Sequence, residues 1–338
     1  MPAYRTATVA AVLTERPGLQ RIDTDAGRAY VLTQLTGSVA VGDRVVLNTT
    51  AVDLGLGTGG WHVVHWNLAR EAWSEAGPGH IMKLRYTSLQ VDAGAAEERH
   101  PDLPTHLGGM PVVACGLHSQ IAPVAVAVLA ADPTARIAYV MTDGAALPLA
   151  LSDLVATMVE RGVLAASITA GHAFGGDLEA VSVPSALALA RHVVEADVVI
   201  VAMGPGVVGT GTALGTTSVE VAGVLDAAAA LGATSVAALR MSSGDARQRH
   251  RGVSHHSRTA LGLTRSRVLV AVPATGSYED ARHDLRVVEP PAIAGLLEDA
   301  GLRVTTMGRG PEADPLFFEA AAAAGTLAAS LIVAPPAG

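Results

Sequence analysis

The sequence predicts an α/β protein: a doubly wound, mostly parallel sheet of Rossmann-like type, preceded by a small N-terminal β-barrel domain. Three observations predict it. Residues 4 to about 75 contain five short strand-like runs separated by turn-rich pieces. Beyond residue 110 apolar runs alternate with helical patterns to the end of the chain. The residues that follow those apolar runs pair glycine with polar or titratable side chains, whereas the residues that precede them are plainer.

The N-terminal runs are TATVAAVL, LQRIDTD, RAYVLTQL, DRVVLNTT and WHVVHWNL, with turns at Arg16-Pro17-Gly18, Asp25-Ala26-Gly27 and Val41-Gly42-Asp43. Five such strands suit a small closed or partly open barrel of the OB or SH3 type. A further extended segment is expected over residues 80–92, which completes a first domain of residues 1–92. Trp61, Trp66 and Trp73 all lie in this domain. Aromatics on a barrel can stack on single-stranded nucleic acid, but residues 1–75 hold six arginines against seven carboxylates. A positive groove is therefore missing, and aromatics that fill the barrel are the simpler reading.

Residues 93–109 are polar and rich in glycine and proline, and read as a linker. The second domain, 110–338, follows. PVVAC, RIAYVMT, VLAASITA, DVVIVAM, TSVAALRM, RVLVAVP and LRVTTM read as strands, and LRVVE (285–289) as an extra edge strand. Helices are expected at 119–131, 149–161, 184–195, 217–231, 292–300 and 314–330.

Composition bounds the function. Of 23 basic residues only Lys83 is a lysine, and the net charge of −8 argues against a general nucleic-acid or anionic-membrane binder. A single cysteine, Cys115, excludes an intrachain disulfide framework and fits a reducing cytoplasm; it closes an apolar strand and reads as a buried, inert thiol. The N-terminus lacks the pattern of a signal peptide. The alanine-rich stretch 317–334, interrupted by Glu319 and Gly325, is too short and weakly apolar for a membrane span.

The chemistry is expected where strands end. The run Val198–Val201 leads into a loop that carries Gly204, Gly206, Gly209, Gly211 and Gly215, with Thr210 and Thr212 between them. Strand followed by glycine loop brings backbone N–H groups to an anion. Gly204, Gly206 and Gly209 form a formal GxGxxG, but Pro205 removes an N–H, Gly211 and Gly215 delay the helix, and the unit falls mid-sheet. The next strand ends in Arg240, Ser242 and Ser243 rather than an acid, which would suit a 2′-phosphate. Other strand ends supply His118, Asp143, His172 and Asp177.

Residues 240–267 hold seven arginines, among them Arg247, Arg249 and Arg251, against one carboxylate, Asp245. Guanidinium groups pair bidentately with phosphate or carboxylate; a solvated loop or a contact in a homo-oligomer is the alternative. The same stretch carries His250, His255 and His256. Ser254 can cap a short helix to about Leu261, ended by Gly262, with His255 and His256 in its first turn, where the helix dipole disfavours the imidazolium. Neutral imidazoles there can act as base, electrophile or metal ligand. The spacing is no known metal signature, and a metal would draw on His118, His172, Asp177 and His255.

The segments VAMGPGVVGTGT, LGTTSVE, RHRGVSHHS, AGHAFGGD, CGLHSQ and MKLRYTSLQ together resemble a bacterial family known only as domain-of-unknown-function family 3866. The likeness covers most of the chain. It implies that these segments belong together in one protein and carries no substrate, cofactor or catalytic role.

The leading expectation is a cytoplasmic transferase or hydrolase of a small phosphorylated or carboxylated metabolite. The four glycines Gly204, Gly206, Gly209 and Gly211 would seat the anion with Arg247, Arg249 or Arg251, and His255 or His256 would do acid–base work beside His118, His172 and Asp177. The alternatives are an NADP-dependent oxidoreductase and a non-catalytic ligand sensor whose barrel contacts a partner. The cofactor is unknown.

Overall fold

The first strands carry Val9, Ile22, Val31, Val45, Leu47 and Val64. In the computed structural model, which describes residues 1–332, they turn inward into one apolar cluster. The strands β1 (Tyr4–Arg16), β2 (Leu19–Thr24), β3 (Ala29–Leu32), β4 (Arg44–Asn48) and β5 (His62–Asn67) close a barrel in the order β1-β2-β3-β5-β4. Long β1 pairs with both β2 and β4, and its register shifts between Val9 and Ala11 and between Val12 and Thr14. Such bulges bend a strand enough to serve two neighbours around a closed wall. Two single-turn helices, α1 (Thr33–Thr36) and α2 (Thr50–Asp53), occupy the connections.

The extended segment expected over 80–92 is shorter than its sequence suggests. Only β6 (Met82–Lys83) and β7 (Val91–Asp92) pair, because Leu84 and Tyr86 adopt φ of 52° and 61° and fold the chain into turns between them. The chain divides into compact units at Gly94 and Ala95. Residues 95–109 belong to the second unit. There Leu107 is fully buried and its N–H donates to the Leu231 carbonyl.

In the second unit the chain runs β8 (Pro111–Cys115), α3 (Ile121–Ala131), β9 (Ile137–Thr142), α4 (Asp153–Glu160), β10 (Ala166–Ala170), β11 (Leu178–Ala180), α5 (Val183–His192) and β12 (Val198–Met203). It continues through α6 (Glu220–Ala230), β13 (Thr234–Ala238), β14 (Met241–Ser242), β15 (Gly252–Val253), α7 (His255–Leu263), β16 (Leu269–Pro273), β17 (Asp284–Val288), α8 (Ile293–Asp299) and α9 (Pro315–Ala329). Eight of these strands form one sheet in the order β11-β10-β9-β12-β8-β13-β16-β17, and every pair in it is parallel.

A sheet covered on both faces needs strands apolar on both sides. Along β12, Val198, Ile200 and Ala202 enter one core with α3, α8 and α9, while Val199 and Val201 enter the other with α5, α6 and α7. Helix α9 is apolar around most of its circumference and is buried accordingly. It lies along α3, where Gly325 lets the two backbones meet at the Val124 carbonyl. Among the described residues no helix is long and apolar enough to cross a membrane; residues 333 and 334 of the alanine-rich stretch lie outside them.

One expected strand is absent. LRVTTM buries Leu302 and Val304 in the core, but only Thr306 bridges, to Arg309. The sheet edge it would need is taken by β17, which pairs along its whole length with β16. Short β11, beyond β10, completes the opposite edge and lacks the length to stand out in sequence.

Candidate functional site

Strands β8 and β12 are neighbours, yet the helices that follow them go to opposite faces: α3 packs with α8 and α9, and α6 with α5 and α7. Where successive connections part in this way, a crevice opens at the carboxyl ends of the strands, and ligands of open α/β sheets bind in it. The glycine loop leaves β12 at that point.

Gly204 is required there by close approach: a Cβ would collide with the Ala146 carbonyl, and Pro205 accepts from the Ala146 N–H at 3.1 Å. The loop then spans the crevice. Pro205, Gly206 and Val207 line an open cleft of about 380 Å³ together with Leu117, His118 and the 303–307 segment. Beyond them, Gly209 faces the ring of His256, whose Nε2 is 3.6 Å from the position of an added Cβ. Gly211, at φ 88°, faces the Arg249 guanidinium, which is 3.8 Å from the position of an added Cβ. Thr210 and Thr212 close the loop on itself: their hydroxyls lie 3.0 Å apart, and Thr212 Oγ1 accepts from the Gly215 N–H at 3.1 Å. Helix α6 begins only at Glu220, after a 3₁₀ turn at Thr217–Val219. The glycines therefore form a free-standing loop and do not open a helix.

On the far side of this loop, Ser254 caps α7 as its sequence implies, its Oγ accepting from the His256 N–H at 3.2 Å. The helix runs through Gly262 to Leu263. The cap presents His255 and His256 toward His250, and the three rings lie 4.4 to 5.0 Å apart. One ring nitrogen from each is within 4.8 Å of the other two. Burial first, then Arg240, holds His256 down to about 4 and His250 to about 3; burial and Arg249 lower His255 as well. All three are neutral imidazoles at physiological pH. Arg240 Nη1 donates to His256 Nδ1 at 3.1 Å, which leaves the ring proton on Nε2, the nitrogen that faces Gly209.

The arginines divide by task. Arg247 makes a two-bond pair with buried Asp245 at 3.0 and 2.8 Å, and Arg309 bridges Asp245 and Asp314 at 3.3 and 3.0 Å. The hydrogen bonds and charge of Arg247 hold the Asp245 carboxyl far below the usual carboxylate range. Arg251 donates to the Asp245 carbonyl at 3.0 Å. Arg247 and Arg251 thus hold the loop, whereas exposed Arg249 makes no hydrogen bond or ion pair among the described residues.

The remaining sequence candidates sit apart from this cluster. His118 faces the other core: its Nδ1 donates to the Met203 carbonyl at 3.1 Å, its Nε2 accepts from Ser152 Oγ at 2.7 Å, and burial lowers it to about 4. Asp143 accepts from the His172 N–H at 3.0 Å, so those two loops do meet. Asp177 accepts from Ser167 N and Oγ, both at 2.8 Å, near the start of β10 and away from the carboxyl rim. Of the four metal candidates named from sequence, His255 alone belongs to the grouped histidines. Cys115 is buried and its thiol is pushed up by desolvation, as suits an inert side chain.

Glu220 has no motif to betray it. It stands in the first turn of α6, accepts from Thr142 Oγ1 at 2.7 Å and packs against Gly144. Burial raises it to about 7.

Comparison with curated proteins and with solved structures gave no match. A family model matches residues 28–325, a span that begins in the barrel and ends inside α9. The chain therefore belongs to the family described as "Protein of unknown function (DUF3866)".

Proposed function

We propose that the Rossmann-like unit is an enzyme that binds a small phosphorylated or carboxylated metabolite in the crevice beside β12 and acts on it as a transferase or hydrolase. One observation carries the reading. Two glycines of the free-standing loop, Gly209 and Gly211, face a neutral imidazole and an unpaired guanidinium, those of His256 and Arg249. Bare amides, an N–H donor and a charge without a counterion make a composite acceptor for an anion.

The chemistry follows from the tautomer. With Arg240 on Nδ1, His256 directs an N–H at the bound anion and can stabilise charge that develops on its oxygen. Glu220, poised near neutrality, is suited to exchange a proton at working pH. The apolar and polar walls of the larger cleft, with His118 among them, offer room for the organic part of the substrate. A lone buried cysteine fits a reducing, cytoplasmic compartment.

The test is calorimetric titration of the protein with inorganic phosphate, repeated on Arg249→Gln. Saturable binding that weakens tenfold or more in the variant supports the proposal. Absence of binding by the wild-type protein at millimolar phosphate removes it.

A further inference from the structure

His250, His255 and His256 are brought together at the Ser254 cap of α7, where His250 and His256 are buried. One ring nitrogen of each lies within 4.8 Å of the other two, and a buried nitrogen without a partner is destabilising. His255 Nε2 is such an atom: it is buried and has no hydrogen-bond partner. His250 Nδ1 is engaged by Ser254 Oγ at 2.7 Å. With Ser254 as acceptor, the Nε2 lone pair of His250 is left available for a ligand. Ser218 Oγ stands 3.3 Å from His256 Nδ1 and can accept from it once Arg240 has released that nitrogen and the ring proton has moved to it. Hydroxyls beside the far nitrogens of two of the three rings, those of His250 and His256, are the outer support by which histidine ligands are oriented.

We infer that His250, His255 and His256 form a binding site for a divalent transition metal of the zinc class, with its open position on the side of Gly209 and the anion. Three protein nitrogens with a fourth position left to water or substrate is the arrangement of catalytic rather than structural zinc. A tetrahedral ion with bonds of ~2.0–2.1 Å would hold its nitrogens about 3.3 Å apart. The rings, grouped within 4.8 Å, need only draw together. A hard cation such as magnesium would want oxygen ligands, which this cluster does not supply.

Two features of the surroundings shape how the ion is held. Arg240, bonded to His256 Nδ1, must release that nitrogen when the ring turns to the metal. Asp245 Oδ2, 3.8 Å from Arg240 Nη2, is the partner that receives it. Arg240, Arg247 and Arg249 also raise the potential at the cluster, which works against a bare cation. An anion in the fourth position offsets that charge, so metal and anion bind with positive coupling. The inference rests on the proposed anion site for this fourth ligand. With the ion in place, the metal takes over the polarising role of His256, and proton exchange stays with Glu220.

Cobalt(II) tests it, since a tetrahedral site turns the ion strongly coloured. Protein stripped with chelator is titrated with Co²⁺, with and without inorganic phosphate, and bound metal is counted by native mass spectrometry. The expected result is one ion per chain with tetrahedral visible bands, bound at least tenfold more tightly with phosphate present. His255→Gln and His250→Gln, checked for an unchanged melting curve, should lose the bands. Wild-type protein without bands in either condition, or variants that keep them, would overturn the inference. Phosphate binding by chelator-treated protein, measured separately, distinguishes the two readings. If phosphate binds and cobalt does not, the anion site stands and the metal site falls. If cobalt binds and phosphate binds neither form, the metal site stands and the anion reading falls.

Discussion

Thr142 Oγ1 donates to Glu220 Oε1 at 2.7 Å, and this single bond ties the end of β9 to the first turn of α6. The bond favours the carboxylate, but burial outweighs it and the group titrates at about 7. Folded protein therefore retains a proton that an unfolded Glu, with a pKa of ~4.3, has already lost. The stabilisation is complete below that unfolded value and disappears as pH rises through 7. Glu220→Gln keeps a neutral side chain at every pH. Urea melts should show the variant's stability, relative to wild type, increasing by about 1–3 kcal/mol between pH 5 and pH 8. A constant difference across that range would contradict the shift.

His118 has the opposite sign. Its folded value of about 4 lies below the ~6.5 of an unfolded histidine. Its contribution is complete above pH 6.5 and is lost as pH falls through 4, because the unfolded chain takes up the proton first. His118→Gln cannot take that proton. It should lose about 1–3 kcal/mol less stability than wild type between pH 7 and pH 4, read from the same melts.

Gly325 lets α9 lie against α3, since a Cβ there would enter the Val124 carbonyl. Overpacking of a closely fitted core costs ~1–3 kcal/mol. Gly325→Ala should lower stability by about that amount in thermal unfolding, despite the better helix propensity of alanine, which amounts to ~1 kcal/mol. An equal or higher melting temperature would show that the helices are not in contact at this point.

Arg249 and Arg247 differ in what they hold. Arg247 is paired with Asp245, while Arg249 is exposed beside Gly211. Arg247→Gln should destabilise the fold measurably, by about 1 kcal/mol or more, since it takes a charge-assisted pair from a buried carboxylate. Arg249→Gln should leave the melting temperature within a degree or two and lower phosphate affinity instead. The reverse pattern would exchange their roles.

Much of this architecture is legible in sequence because β-branched runs and glycine punctuation are local signals. β12, the glycine loop and the Ser254 cap of α7 follow directly from neighbouring residues. LRVTTM misleads because its apolar residues satisfy burial without satisfying a sheet edge, and edges are assigned by the whole topology. The site is less legible for the same reason. That His256 lies against Gly209 depends on the order in which β8, β12 and β13 sit side by side. No spacing reveals that Asp177 serves the start of β10, or that Glu220 is pressed against Gly144 and lifted toward neutrality. His118 lines the cleft beside Pro205 and Gly206, as a rim histidine would, but it bonds to the Met203 carbonyl and Ser152 rather than joining the other histidines.

The central claim, an anion seated between the glycine loop and the arginine–histidine cluster, is tested most directly by NMR titration of ¹⁵N-labelled protein with inorganic phosphate. The account predicts that the backbone amides of Gly209, Thr210 and Gly211 and the ring N–H of His256 shift together and saturate with one affinity. Phosphate that leaves these four signals unmoved while it shifts others, or shifts none at all, would contradict it.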